Sequence, residues 1–94
     1  MGQIQQRVAA EWGVTVEGMQ SKTRTKLLTV PRQVAMYLAR EILGLQLVEI
    51  GQAFGGRDHS TVIHSLDRVS TMMKENAEFR SRVEKVRETS RHST

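Results

Sequence analysis

The chain has 94 residues, 14 basic against 10 acidic side chains, a formal net charge of +4 and no cysteine. That length holds one small domain, which removes only about 60–65% of its unfolded surface from water. The missing thiols exclude a disulfide framework, a zinc finger and a cysteine nucleophile, so packing alone must hold the fold.

Helix-period patterning runs through the chain, with no strand alternation. Ile4, Val8 and Trp12 recur at i, i+4 and i+8, and Gly13 stands where that first helix stops. Thr15 is placed to cap a single short turn, with Glu17 near its positive end and Met19 inward. Residues 20–29 show no period and read as a loop. Pro31 then suits the first turn of a helix whose inner face is Val34, Leu38 and Ile42, with Ala35 and Leu45 beside it and Gly44 as its stop.

A short helix of about nine residues follows, with Leu47, Ile50 and Phe54 inward and Gly55-Gly56 breaking it. Asp58 is a candidate N-cap for a longer helix with Val62, Ile63, Leu66, Val69 and Met73 as its buried stripe. Asn76 is placed to cap a last helix with Phe79, Val83 and Val86 inward, and residues 89–94 have nothing to bury and are expected to fray. The expected fold is all-α, a single domain over 1–94 with five or six helices, ordered over about residues 3–88. No apolar run approaches the ~20 residues of a membrane span. Met1-Gly2-Gln3-Ile4-Gln5 lacks a secretory pattern, which points to a soluble protein of a reducing compartment.

The charge is unevenly spread. Residues 18–40 carry Lys22, Arg24, Lys26, Arg32 and Arg40 with no acid, a local +5 that exceeds the total, whereas residues 41–66 are net −2. Such a block is the footprint of a polyanion partner, nucleic acid above all. A short helix, a glycine turn and a longer amphipathic helix form the layout of a helix-turn-helix, here with a slightly lengthened turn. An ordinary αα-corner fits the spacing equally. Gly51, beside buried Ile50, lets the two helices approach.

In a helix-turn-helix the first residues of the second helix meet base edges. Asp58, His59, Ser60 and Thr61 are short side chains with mixed donors and acceptors, and a carboxylate can accept from the cytosine amino group. The loop Ser21-Lys22-Thr23-Arg24-Thr25-Lys26 alternates cations with small hydroxyls, which suits phosphate contact or a narrow minor groove. Enzyme readings find no support: there is no phosphate-binding Gly-x-x-x-x-Gly-Lys-Ser/Thr loop, and His59 and His64 miss the i, i+4 spacing of a helical metal pair. No catalytic residue, metal or cofactor is expected.

Three stretches carry a resemblance: Arg32-Gln33-Val34-Ala35-Met36-Tyr37-Leu38-Ala39-Arg40-Glu41, Leu47-Val48-Glu49-Ile50-Gly51, and Phe54-Gly55-Gly56-Arg57-Asp58-His59-Ser60-Thr61-Val62-Ile63-His64. They are similar to the C-terminal DNA-binding domain of bacterial DnaA, the initiator of chromosome replication, from about Ile4 to about Val86. The resemblance implies binding to double-stranded DnaA boxes, asymmetric nonamers at the replication origin. Asp58, His59, Ser60 and Thr61 are then expected at bases in the major groove, and Arg24 in the adjacent minor groove. Lys22, Lys26, Arg32, Gln33, Arg40 and His64 are expected at the backbone, with Leu47 and Val48 near the DNA. Ser60 stands where many relatives carry threonine, Thr23 where a basic residue is frequent, Val48 where proline is common and Gln46 where serine is common. The resemblance further implies a monomeric reader in the bacterial cytoplasm, at the nucleoid, with ATP binding confined to a separate AAA+ domain. It leaves room for anionic lipid or regulatory-protein contacts.

Two other readings stay open on the residues themselves. One is a dimeric helix-turn-helix regulator of palindromic operators. The other is a helical module whose basic face docks an acidic protein or an anionic lipid surface.

Overall fold

A computed structural model describes residues 1–91 of the chain, and all its regular elements are helical. They are α1 (Gly2–Trp12), α2 (Val16–Gln20), α3 (Lys26–Leu38), α4 (Leu47–Ala53), α5 (His59–Glu75) and α6 (Ala77–Arg91), with a π-helical turn (Ala39–Leu43) continuing α3. Helix α3 runs through the middle and packs on α1, α2 and α5, so its Val34, Ala35, Met36 and Leu38 are fully buried.

Local chemistry explains most of the boundaries. Gly13 takes a left-handed conformation (φ +69°) and its N–H closes α1 onto the Ala9 carbonyl, a conformation glycine adopts without a Cβ penalty. Thr15 Oγ1 accepts the Gly18 N–H at 2.9 Å and starts α2. Glu49 Oε1 accepts the Gln46 N–H at 2.9 Å at the head of α4. Asp58 Oδ1 accepts the Thr61 N–H at 2.8 Å, and Asn76 Oδ1 accepts the Phe79 N–H at 3.0 Å. Each satisfies one of the donors that a helix start leaves unpaired.

Several expectations are corrected. Helix α3 begins at Lys26, so the loop is shorter than residues 20–29 and Pro31 is the sixth helical residue, not a first-turn one. Proline there removes the bond to the Leu27 carbonyl. The carbonyl left without that donor belongs to Leu27, a residue that is 77% exposed. Ile63 is 42% exposed rather than buried. The inner face of α5 is Val62, Ser65, Val69 and Met73, and Ile63 lies one step, about 100°, around the helix from Val62. Helix α4 has seven residues rather than about nine. Helix α6 continues to Arg91, past the start of the segment expected to fray, while residues 92–94 lie outside the described residues.

Helix α6 is joined to α1 by a mixed cluster. Trp12 meets Phe79 edge to face with ring centroids 6.2 Å apart, and the Arg82 guanidinium lies 4.4 Å from the Trp12 ring centroid. Glu11 accepts from Arg82 Nε at 3.1 Å and pairs with Lys85 Nζ at 3.2 Å. The Arg82 bond, then Lys85, holds the Glu11 carboxyl below the ordinary glutamate range, against the opposing effect of burial. A second pair, Arg87 with Glu41 at 3.4 Å, joins α6 to the π-turn.

The α4–α5 junction depends on absent side-chain volume. A Cβ at Gly51 would stand 2.1 Å from the Arg57 carbonyl oxygen. The Gly51 carbonyl in turn accepts the N–H groups of Phe54, Gly56 and Arg57 at 3.2, 3.1 and 3.0 Å. One residue thus closes the whole turn.

Gly51→Ala is expected to cost about 3 kcal/mol, because backbone must move to admit the methyl. Urea unfolding checks this, and a loss under about 1 kcal/mol would contradict so tight a junction. Glu11→Gln should cost about 1 kcal/mol at neutral pH, since both cationic partners are part-exposed. Because the folded carboxyl titrates below its unfolded value, its contribution is present above the ordinary glutamate range and fades as pH falls through the folded value. Unfolding curves of wild type and variant should therefore converge on acidification, and a constant gap would contradict the ion-pair account.

Candidate nucleic-acid interface

The turn between α4 and α5 ends on Arg57-Asp58, and α5 leaves it with Asp58, His59, Ser60 and Thr61 all exposed. The backbone and side-chain bonds from Thr61 hold the Asp58 carboxyl below the ordinary aspartate range, so a negative charge caps this end of the helix at neutral pH. His64, one turn further along α5, is also exposed. The turn itself needs glycine: Gly55 and Gly56 have φ of +86° and +78°, and a Cβ on Gly55 would lie 2.7 Å from the Gln20 carbonyl oxygen. The turn therefore lies directly on the backbone that leads into the basic loop.

Two arginines hold that loop. Arg32, on α3, is buried (5% exposed), and its Nε donates to the Met19 carbonyl at 2.5 Å. Its Nη2 donates to the carbonyls of Ser21 and Thr23 at 2.9 and 3.1 Å. Arg57 Nη2 donates to the same Ser21 carbonyl from the other side. Burial first, then the Arg57 charge, lowers the Arg32 pKa from its ordinary value. Even so, arginine stays charged at any pH at which the protein is folded. Gln5 completes the support: its Nε2 donates to the Ala53 carbonyl at 3.2 Å, and its Oε1 accepts from Gln20 Nε2 at 3.0 Å.

The result is a basic loop fixed beside the start of α5. One cleft is lined by Lys22, Arg24, Gly55, Gly56, Arg57, Asp58 and Thr61. A second, of about 440 Å³, is lined by Arg24, Thr29, Arg32, Gln33, Arg57, Thr61, His64 and Ser65. Arg24, Arg57 and Thr61 line both, so the two clefts form a continuous groove between loop and helix.

Of the residues singled out in the sequence, Lys22, Arg24, Gln33, Asp58, Thr61 and His64 are brought together in this groove or on its edge. His59 and Ser60 stand exposed on the first turn of the same helix. Lys26 is exposed at the head of α3, whereas Arg40 lies at its far end and donates from Nη1 to the Leu45 carbonyl at 2.7 Å. Leu47 is half-buried and Val48 exposed at the start of α4, outside both clefts. Arg32 also lines the groove, and its guanidinium is engaged within the fold. It is a buried group serving loop carbonyls, because each of those carbonyls lacks a helical donor and a guanidinium forks to several acceptors at once.

Sequence reasoning passed over Arg57. The available signal was that it is the single Lys or Arg between residues 41 and 66, a segment otherwise biased to acids.

Comparison with known proteins agrees with this geometry. A family model described as the bacterial dnaA protein helix-turn-helix matches residues 1–69. A solved structure described as a DNA replication initiation factor is 36% identical, with a TM-score of 0.83 over 93% of this chain and 26% of that one. The chain thus spans about a quarter of the length of that protein. With the matched turn, the two flanking helices and the superposed fold in agreement, the chain belongs to the helix-turn-helix family of bacterial DnaA.

Proposed function

We propose that this domain reads one asymmetric double-stranded DNA sequence of the DnaA-box type. The start of α5 lies in the major groove, and Arg24 reaches into the neighbouring minor groove. The observation that carries this reading is the groove just described, in which an acid-free basic loop is fixed beside four exposed, short, hydrogen-bonding residues at a helix start.

The division of labour follows from side-chain chemistry. Asp58, His59, Ser60 and Thr61 are short enough to discriminate base edges without flexing, and the Asp58 carboxylate selects an amino-group donor while rejecting phosphate. Lys22, Lys26, Gln33, Arg40 and His64 supply sequence-independent attraction to phosphates. Leu47 and Val48 offer apolar surface at the head of α4, suited to a thymine methyl. The domain acts as a monomer, without catalysis, metal or cofactor of its own, beside chromosomal DNA in the bacterial cytoplasm. ATP binding belongs to a separate module of the longer protein. Anionic lipid or regulatory-protein contacts belong to the longer protein.

Selection from random duplexes tests the class of partner: one asymmetric, A·T-leaning nonamer is expected to be enriched. A palindrome would favour a dimeric regulator, and no enrichment would favour a protein or lipid partner. On the enriched box, His59→Ala should cost about 1–3 kcal/mol, with a much smaller loss on random DNA. An unchanged ratio between box and random DNA would remove His59 from base reading. Lys26→Ala should instead weaken both similarly and reduce the salt slope by about 1. Salt-independent binding would contradict the phosphate contacts.

A further inference from the structure

Resting on the DNA reading above, we propose that Arg57 is a positioning residue that couples the loop arginine to the recognition helix, so that both grooves are read as one unit. Arg24 is exposed, and its side chain makes no hydrogen bond among the described residues. The loop backbone therefore sets where the Arg24 side chain starts, and so what it can reach. That backbone begins at Ser21, and Arg57 Nη2 donates to the Ser21 carbonyl across 36 positions of sequence. Arg57 is also the residue just before the Asp58 N-cap, and its own N–H is held by the Gly51 carbonyl at 3.0 Å. A single side chain thus joins the base of the loop to the first residue of the reading helix.

The remaining details agree. Arg57 is half-buried and its Nε is enclosed without an acceptor, an arrangement poorly suited to a direct phosphate contact. Two guanidinium groups, from Arg57 and Arg32, converge on one carbonyl although like charges repel. Arg32 ties the loop to α3, and Arg57 is the side chain of the α4–α5 turn that donates to it. The groove residues Arg24 and Thr61 face Arg57 in both clefts, so a shift of its side chain moves the spacing between the loop and the helix start.

The test is a mutant cycle on the selected box, using Arg57→Met, which keeps the length and removes the donors. In the wild-type background, Arg24→Ala and His59→Ala should each weaken box binding roughly tenfold. In the Arg57→Met background, Arg24→Ala should cost less than about threefold, while His59→Ala keeps its full cost. Partial unfolding would reduce both costs together, and a phosphate role for Arg57 would leave the Arg24 cost intact and lower the salt slope. Either pattern overturns the proposal. If Arg57→Met does not fold, the same cycle with Arg57→Lys should give an intermediate Arg24 cost, and an undiminished cost again overturns it. If selection from random duplexes enriches no sequence, the DNA reading itself fails, an outcome distinct from failure of the coupling.

Discussion

The Ser21 carbonyl accepts hydrogen bonds from two arginines that come from opposite sides, Arg32 on α3 and Arg57 on the helix-turn-helix. Hydrogen bonds to a charged donor are worth more than neutral ones, and both here are partly buried. A surface loop of five residues rich in cations ordinarily samples many conformations, because its charges repel and its backbone is solvated. Here its backbone oxygens are engaged from within the fold. The two arginines attract the loop's backbone while its own cations face outward. Binding a polyanion then orders little that is not already ordered, which lowers the entropic cost of association.

Charge and recognition are separable in this chain, and the fold brings them into register. The acid-free block at residues 18–40 carries the positive charge, and the net-acidic segment 41–66 carries the helix-turn-helix. They meet because α3 lies against α5 and because the Gly51 junction is tight enough to bring Arg57 back over the loop. The opposite side of the domain is held by different means. Trp12, Phe79 and Arg82 form an aromatic and cation–π contact there, with Glu11 compensating the Arg82 charge. A small chain without cysteine has thus divided its polar contacts between two tasks, fastening α6 and fixing the loop.

Much of this was legible in the residues. Glycine stops at 13 and 44, the caps at Thr15, Asp58 and Asn76, and the inner faces of α1 and α6 follow directly from spacing and side-chain type. The start of α3 was not legible, because Pro31 reads as a first-turn residue while the Thr25 side chain caps the helix ahead of Lys26. Ile63 misled for a similar reason: an apolar residue beside Val62 on a helix faces another direction. The groove residues Arg24, Asp58 and Thr61 were readable from charge and position, and His64 from the resemblance. Arg32 and Arg57 were not, since a cation in a basic segment reads as a surface contact until tertiary structure supplies the carbonyls it serves.

DNA reading by this groove requires the loop and α5 to be fixed relative to each other before DNA arrives. The chain's lack of cysteine makes this directly measurable, because thiols introduced by Thr23→Cys and Asp67→Cys can be spin-labelled without interference. Pulsed electron–electron distance measurements between the two labels should give one narrow distribution that is the same with and without the selected duplex. A broad distribution in the free protein that narrows only on DNA would contradict the account.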